Sequence, residues 1–413
     1  GLVYHEIVCE LPSLTDEELE LLPYYSACLT ELGCGDKDYL QVQEWQSSVS
    51  GGINAQHSIR ALTDDEQKTR SYFLFSGKAL NRNNKKLAEL MWETLDGIRF
   101  DETDRIAELI TQMRSRRERS VTGNGHSLAM SAASSGFNPV ASLNHRYSGL
   151  AGIKAVKELD DSHSEKSAVE HTASVFAAIH DKIKAAAKSY MLTMEADKVD
   201  DVVKDFEALW TSAQEAGAGS KLELPEIKQQ TKQMWIANTQ VNFCSKAYPT
   251  VTMEHPDAAA LSVLGGFMRN GFLHTAVREQ GGAYGGGATQ DTNIASFKFY
   301  SYRDPRLTET LDDFDKAIDW VIDSDHEERQ LEEAILGVIG SMDKPGSPAG
   351  EAKAAFHNEL HGRTREKLQQ FRQRVLEVSI DDLKRVAETY LKKGEASIAV
   401  ITSAATYEEV GDI

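Results

Sequence analysis

Phe272–Asp291 reads FLHTAVREQGGAYGGGATQD. Its first nine residues space their apolar side chains as a short helix does, and Gly281–Gly282 stops that helix. From Gly281 to Ala288 there are five glycines, two alanines and one tyrosine. Glycine loses more conformational entropy on folding than any other residue, so a run this dilute needs a reason. The stretch reads as a helix, a reversal at two glycines, and a strand stripped of side chains at Gly285, Gly286 and Gly287, so that another backbone can come close. Arg278 lies six residues before Tyr284, and the reversal lets both side chains face one space.

Working outward, AYGGGATQ and ASFKFYSYRD form a pair of strands, followed by helices at about 306–323 and 326–342 and two more within 348–377. SIDDLKRVAETYLKK is a helix capped by Ser379, with Leu383, Val386, Tyr390 and Leu391 inward and Gly394 at its end, and EASIAVITS closes as a strand. Upstream, MWIANTQVNFCSKAYP is a strand region and HPDAAALSVLGGFMRN a helix, with Pro256 in its first turn and Gly271 at its end.

The same order occurs earlier. Residues 2–11 read as a strand, and a helix follows with Thr15 and Glu18 as a capping box. YLQVQEWQSSVSGG is a second helix ended by Gly51–Gly52, before the strands INAQHSIRAL and TRSYFLFSGKAL. After several helical patterns come the strand SYMLTMEA and the helix KVDDVVKDFEALWTSA. Gly51–Gly52 thus occupies the place of Gly281–Gly282, and SYFLFSGKAL that of SFKFYSYRDP. The reading is a divergent duplication: an α+β chain of two related domains, 1–222 and 223–413, each a mostly antiparallel sheet backed by helices. QEAGAGSKLELPEIKQQ, residues 214–230, is polar and aperiodic and is the linker candidate. The repeat of about 230 residues is far too long for a solenoid.

Composition bounds the function. With 45 Lys and Arg against 64 Asp and Glu, the net charge is −19, which disfavours nucleic acid and anionic lipid as partners. No apolar run is long enough to span a membrane. The basic cluster RSRRER, Arg114–Arg119, continues an amphipathic helix through Ile106, Leu109, Ile110 and Met113, and reads as a solvated face. Cys9, Cys28, Cys34 and Cys244 have no CxxC spacing and read as buried thiols of a reducing compartment. The chain begins GLVYHEIVCEL, already a strand and without methionine or signal peptide, which suggests a piece of a longer polypeptide.

HNELH, His357–His361, puts two histidines one turn apart, the spacing of a zinc-binding helix. Zinc peptidase helices read HExxH or HxxEH, whereas here Glu359 is third, turned about 200° from His357. Plain helix-surface histidines are the reading. No Ser–His–Asp or Cys–His pattern, Walker lysine or GxGxxG register appears. Arg278 and Tyr284 remain. One reading is structural: an arginine at a helix C-terminus favours the dipole, and a tyrosine packs over a turn. The other is a peptide-handling surface, with guanidinium donors for carbonyls and carboxylates and one phenol donor.

FLHTAVREQGGAYGGGATQD…ASFKFYSYRDPRL resembles the C-terminal half of the pitrilysin/insulinase zinc metallopeptidases, nearest the presequence-protease type. GLVYHEIVCELPSL…LTELGCGDKDY…SGGI resembles the opening of that half, and SIDDLKRVAETYL its end. The resemblance implies four α+β domains in two halves that close around an unstructured peptide, with this chain as the third and fourth. It implies an N-terminal half that carries HxxEH and binds the zinc, and a C-terminal half that supplies an arginine and a tyrosine. Carried over, Arg278 holds substrate backbone near the scissile bond and Tyr284 donates to the oxyanion; the bare strand at Gly285 and Gly286, read from the residues themselves, lets the substrate backbone lie close. HxxEH is absent from these residues, so no metal ligand is assigned, and the chain alone is expected to be inactive. The partners implied are the N-terminal half, on the same polypeptide or a separate subunit, and peptide substrates. The compartment expected is the cytoplasm in a bacterium or an organelle matrix in a eukaryote. The competing expectation is a non-catalytic peptide-binding or scaffolding subunit, which the family also contains.

Overall fold

The computed structural model describes residues 1–210 and 220–411. In chain order the first part comprises β1 (Leu2–Glu10), α1 (Asp16–Cys28), α2 (Tyr39–Val49), β2 (Ile53–Ala61), β3 (Thr69–Leu80), α3 (Asn84–Asp96), α4 (Thr103–Ser134), α5 (Pro139–Ser148), α6 (Leu150–Ser162), α7 (Lys166–Ala185), β4 (Lys188–Thr193) and α8 (Val199–Trp210). The second comprises β5 (Lys232–Ile236), β6 (Phe243–Pro249), α9 (Ala258–Met268) running on as wide π-helical turns over Arg269–Gln280, β7 (Gly285–Asp291), β8 (Ser296–Tyr302), α10 (Thr308–Asp323), α11 (Glu328–Met342), α12 (Pro348–Leu360), α13 (Arg365–Leu376), α14 (Ile380–Val386), β9 (Ser397–Thr402) and α15 (Ala404–Val410).

The first sheet has strand order β2-β3-β1-β4, with every pairing antiparallel. The second has order β5-β9-β6-β8-β7 and is antiparallel except where β5 joins β9. Setting β1, β2, β3 and β4 against β6, β7, β8 and β9 makes the two orders identical, with β5 added at the far edge. The topology therefore carries the duplication expected from the two Gly–Gly turns, and in each copy the strand after that turn is an edge.

Each sheet has its own helical layer. Val3, Ile7 and Cys9 of β1 pack with Leu22, Tyr25, Phe176 and Ile179 in one core. Cys244, Tyr248, Phe297, Phe299 and Val400 pack with Leu264, Phe314 and Val386 in another. A third cluster joins the two parts: Leu128, Ala129 and Ala132 from the second half of α4 cover Phe243, Ala247, Ala399 and Ile401 on the opposite face of the second sheet. Strand side chains alternate between faces, so β6 sends Cys244 and Tyr248 one way and Phe243 and Ala247 the other. Burial on both faces is why SIAVIT reads as a continuous apolar run. α4 kinks at Asn124, and a side chain on the next residue, Gly125, would begin 2.5 Å from the Phe243 ring. Only glycine allows α4 that close to the sheet.

Several expectations change. Gly271 does not end the helix, which continues to Gln280; the missing side chain makes room for the Trp320 indole, 2.2 Å from where a Cβ would stand. Pro256 lies in the turn before α9. His357 and His361 are not plain surface histidines. α12 lies across the first sheet, where the His357 ring meets the Glu6 carboxylate and Lys353 reaches the other Glu6 oxygen at 2.6 Å. His361, only 3% exposed, has Nε2 2.9 Å from Ser58 Oγ. Their partners lie more than 300 residues away in sequence, beyond any local pattern.

Of the linker candidate, 214–219 lie outside the described residues. The rest runs without helix or strand but is pinned: Leu222 is buried and its N–H donates to Leu11 O, and the Gln229 N–H donates to Gly136 O. Within the basic cluster, Arg114 pairs with Glu118, Asp160 and Asp161, and Arg117 lies over the Tyr24 ring.

Candidate functional site

The site is built on the turn between the π-helical segment and β7. Wide turns bring residues five apart together, and His274 Nδ1 lies 3.4 Å from Glu279 Oε1. The exposed Arg278 Nη1 stands 3.4 Å from His274 Nε2. Arg278 O and Val277 O accept the N–H groups of Gly282 and Ala283 at 3.0 and 3.1 Å, which closes the helix end. Gly282 has φ 80°, a left-handed value that glycine adopts without strain. Beneath the turn, Arg306 Nη2 donates to Ala276 O at 3.3 Å and pairs with Asp313 at 3.0 Å.

The chain then rises into Tyr284. It is 70% exposed, a large aromatic standing in solvent, and its hydroxyl has no hydrogen bond among the described residues. Its ring and backbone are held. The Tyr284 N–H donates to Arg303 O at 3.4 Å, and the ring meets Tyr302 edge-on, centroids 5.6 Å apart at 84°. Tyr302 is itself braced by Phe243 at 5.8 Å and by His126 of α4 at 4.9 Å.

Gly285, Gly286 and Gly287 follow as the start of β7, paired to Tyr302, Ser301 and Tyr300. β7 is the edge of its sheet, with no strand on its outer side among the described residues. No described atom lies within 4 Å of where a Gly285 side chain would be. The four residues singled out from sequence, Arg278, Tyr284, Gly285 and Gly286, therefore sit on one turn and the strand it opens. Sequence reasoning missed Tyr302, Arg303 and His126. The alternation of ASFKFYSY contained a signal for Tyr302; nothing local ties His126 to the site.

The described residues do not fit a zinc site. Among the described residues no group of three or more His, Cys, Asp or Glu is placed to hold a metal ion. All four cysteines are buried and free, and burial pushes the thiols of Cys9, Cys28 and Cys244 up to about 12, so they stay protonated. His357 and His361 face different partners.

Residues 1–159 match the family of domains associated with subfamily C of the M16 peptidases, and residues 232–404 match the PreP C-terminal domain. The chain is 30% identical over 394 residues to the mitochondrial presequence protease of Yarrowia lipolytica, covering 95% of this chain and 39% of that protein. It is 27% identical over 426 residues to that of Xenopus laevis, covering 96% and 41%. It thus spans about two fifths of the length of these curated relatives. In fold it is similar to a peptidase M16 inactive domain from Pseudomonas fluorescens, with TM-score 0.65, 15% identity and coverage of 98% and 93%, and to a protease from Helicobacter pylori, with TM-score 0.64, 13% identity and coverage of 97% and 94%. No helix among the described residues is long and apolar enough to cross a membrane. With its α+β sheets built on one plan and its sequence matched along both parts, the chain belongs to the M16 (pitrilysin/insulinase) family of metallopeptidases, on the presequence-protease branch whose C-terminal domain it carries.

Proposed function

We propose that this chain is the C-terminal half of a zinc metalloendopeptidase that degrades short unstructured peptides. Residues 1–222 and 223–413 would be the third and fourth domains of the complete enzyme, and a separate HxxEH-bearing N-terminal half would hold the zinc. The observation that carries the reading is Tyr284: an exposed phenol whose hydroxyl has no partner among the described residues, fixed at its ring and backbone, at the mouth of a bare edge strand.

The roles follow from the chemistry. An extended peptide adds to a free sheet edge through main-chain hydrogen bonds, and Gly285, with open space where its side chain would be, puts nothing in its way; Gly286 is bare for another reason, since a Cβ there would stand 2.7 Å from Val277 beneath the strand. Arg278 offers guanidinium donors to substrate carbonyls. The Tyr284 phenol is a neutral donor for the charge that develops on the scissile carbonyl oxygen. Such a donor acts only when the halves meet, so this chain alone would be inactive. The named relatives are mitochondrial, and in a eukaryotic source an organelle matrix would be the compartment; a bacterial source would make it the cytoplasm.

In the complete enzyme, Tyr284→Phe keeps the ring on Tyr302 and removes only the donor. Turnover is expected to fall on the order of 10²–10³-fold with little change in stability. Near-normal turnover would overturn the role. Peptide binding without cleavage, after mixing this chain with an HxxEH-bearing half, would instead mark a non-catalytic binding subunit.

A further inference from the structure

Two non-glycine residues among those described have positive φ: Ala295 at 44° and Arg303 at 51°. Ala295 sits in the turn joining β7 to β8, where such a value is ordinary. Arg303 follows the last residue of β8, outside any hairpin turn. The main chain there is fixed by the next residue: Asp304 exchanges backbone hydrogen bonds with Asn242 at 2.7 and 2.9 Å. The Asp304 carboxylate, fully buried, accepts from Thr310 Oγ1 at 2.8 Å and from the Arg306 N–H at 3.0 Å. That explains the bend but not the arginine, since glycine fits the left-handed region without strain. Strained backbone of this kind concentrates at functional sites.

No hydrogen bond or ion pair among the described residues accounts for the side chain. Arg303 is exposed and makes no side-chain hydrogen bond or ion pair among the described residues, in a chain with 64 acidic side chains. Its Cζ stands above the Tyr302 ring, 5.4 Å from the centroid. Tyr302 is the ring that supports Tyr284, and the Arg303 carbonyl accepts the Tyr284 N–H. The guanidinium is therefore carried on the same pedestal as the candidate catalytic phenol. A guanidinium laid on an aromatic face keeps its in-plane donors free, and its preferred partner is a carboxylate held by two parallel hydrogen bonds.

We propose that Arg303 is a specificity-determining residue that pairs with a carboxylate of the bound peptide, either an acidic side chain or the terminal carboxylate. This rests on the reading of Tyr284 as part of the peptidase site.

The test uses the complete enzyme and three sets of matched peptides: neutral with an amidated C-terminus, the same with one Glu replacing Gln at successive positions, and the neutral peptide with a free C-terminus. Arg303→Ala is expected to lower kcat/KM by about 10–100-fold more for a carboxylate-bearing peptide than for the neutral amidated one, the worth of one hydrogen bond to a charged group. The Glu and free-terminus arms tell the two carboxylate sources apart. Arg303→Lys, a point charge without the fork, should retain part of the preference. Arg303→Gly relieves the backbone strain, and its turnover of the neutral amidated peptide reports whether the support of Tyr284 is intact. Equal losses on all three sets, or no loss in any, would overturn the proposal. Tyr284→Phe separates the two readings: it should slow all peptides alike. If it slows none while the Arg303 variants still shift preference, the oxyanion role fails and the carboxylate contact stands.

Discussion

Acid should destabilise this protein before its carboxylates titrate. His5 is buried at 1% exposure, His180 at 4% and His361 at 3%, and His57 is half-buried. Burial lowers His5, His57 and His180 to about 4 and His361 to about 3, from an ordinary value of 6.5, and lowers the buried His145 as well. Their hydrogen bonds only partly oppose this, His5 to Asn84 Oδ1 at 2.8 Å and His180 to Leu95 O at 2.8 Å. Well above pH 6.5 both folded and unfolded forms hold these rings neutral, and nothing is lost. Below it the unfolded chain takes up protons that the folded chain refuses, so stability falls with pH until the folded values are reached. At pH 5.5 the unfolded ring is about nine-tenths protonated and the folded ring almost wholly neutral, which makes each histidine worth about 1.4 kcal/mol. His5, His57, His180 and His361 together give about 6 kcal/mol, a large share of the roughly 5–15 kcal/mol that holds a domain together. The assay is the urea midpoint at pH 7.5, 6.5 and 5.5. The midpoint should change little across the first interval and drop across the second. His361→Gln, which cannot titrate, should lose about a quarter of that drop whatever its stability at pH 7.5. An unchanged midpoint between pH 6.5 and 5.5, or a full drop in the variant, would refute the reasoning.

Three further outcomes follow from packing. Gly125→Ala sets a Cβ 2.5 Å from the buried Phe243 ring, so overpacking should lower stability by about 1–3 kcal/mol, read as a lower urea midpoint. Thr15→Ala removes the hydroxyl that accepts the Glu18 N–H at 3.2 Å and should destabilise α1 by about 1 kcal/mol, seen as faster amide exchange in its first turn. Glu6→Gln keeps the shape of a buried side chain but discharges the contact to Lys353 and His357. It should cost about 1.5–3 kcal/mol and raise proteolytic cleavage around α12, and unchanged protection there would mean that the Glu6 contact does not hold α12 down.

What the sequence disclosed was local. Thr15 and Glu18 form the capping box that their spacing of three announces, and Ser379 caps its helix in the same way. Alternation found β2, β3, β7 and β8, and the two Gly–Gly turns exposed the duplicated plan. Tyr284 stood out as one phenol in a glycine run, and the structure leaves it 70% exposed. What stayed hidden depended on distant partners. Gly271 looks like a helix end unless Trp320 is known to fill the space beside it. His357 and His361 look like surface residues until the first sheet arrives beneath them. Arg303 is one more arginine until its backbone angle is known, and angles forced by a partner such as Asn242 leave no trace in a local pattern.

The duplication also explains why the candidate site lies in the second copy. Both copies place an edge strand after a Gly–Gly turn, but β2 reads INAQHSIRA, a side chain at every position, whereas β7 opens with three glycines. The first copy is closed further by α12, which belongs to the second part and lies on the first sheet through Glu6. In return α4, from the first part, covers the second sheet through Phe243 and Ile401 and reaches Tyr302 with His126. Each part thus supplies a cover that the other lacks. An uncovered sheet face would expose Phe243, Ala247 and Ile401 to water, so residues 223–413 expressed without α4 should lose both solubility and the brace behind Tyr284. The exchange makes the first part, whose own edge strand is not bare, the support that holds Tyr302 in place, and through it Tyr284.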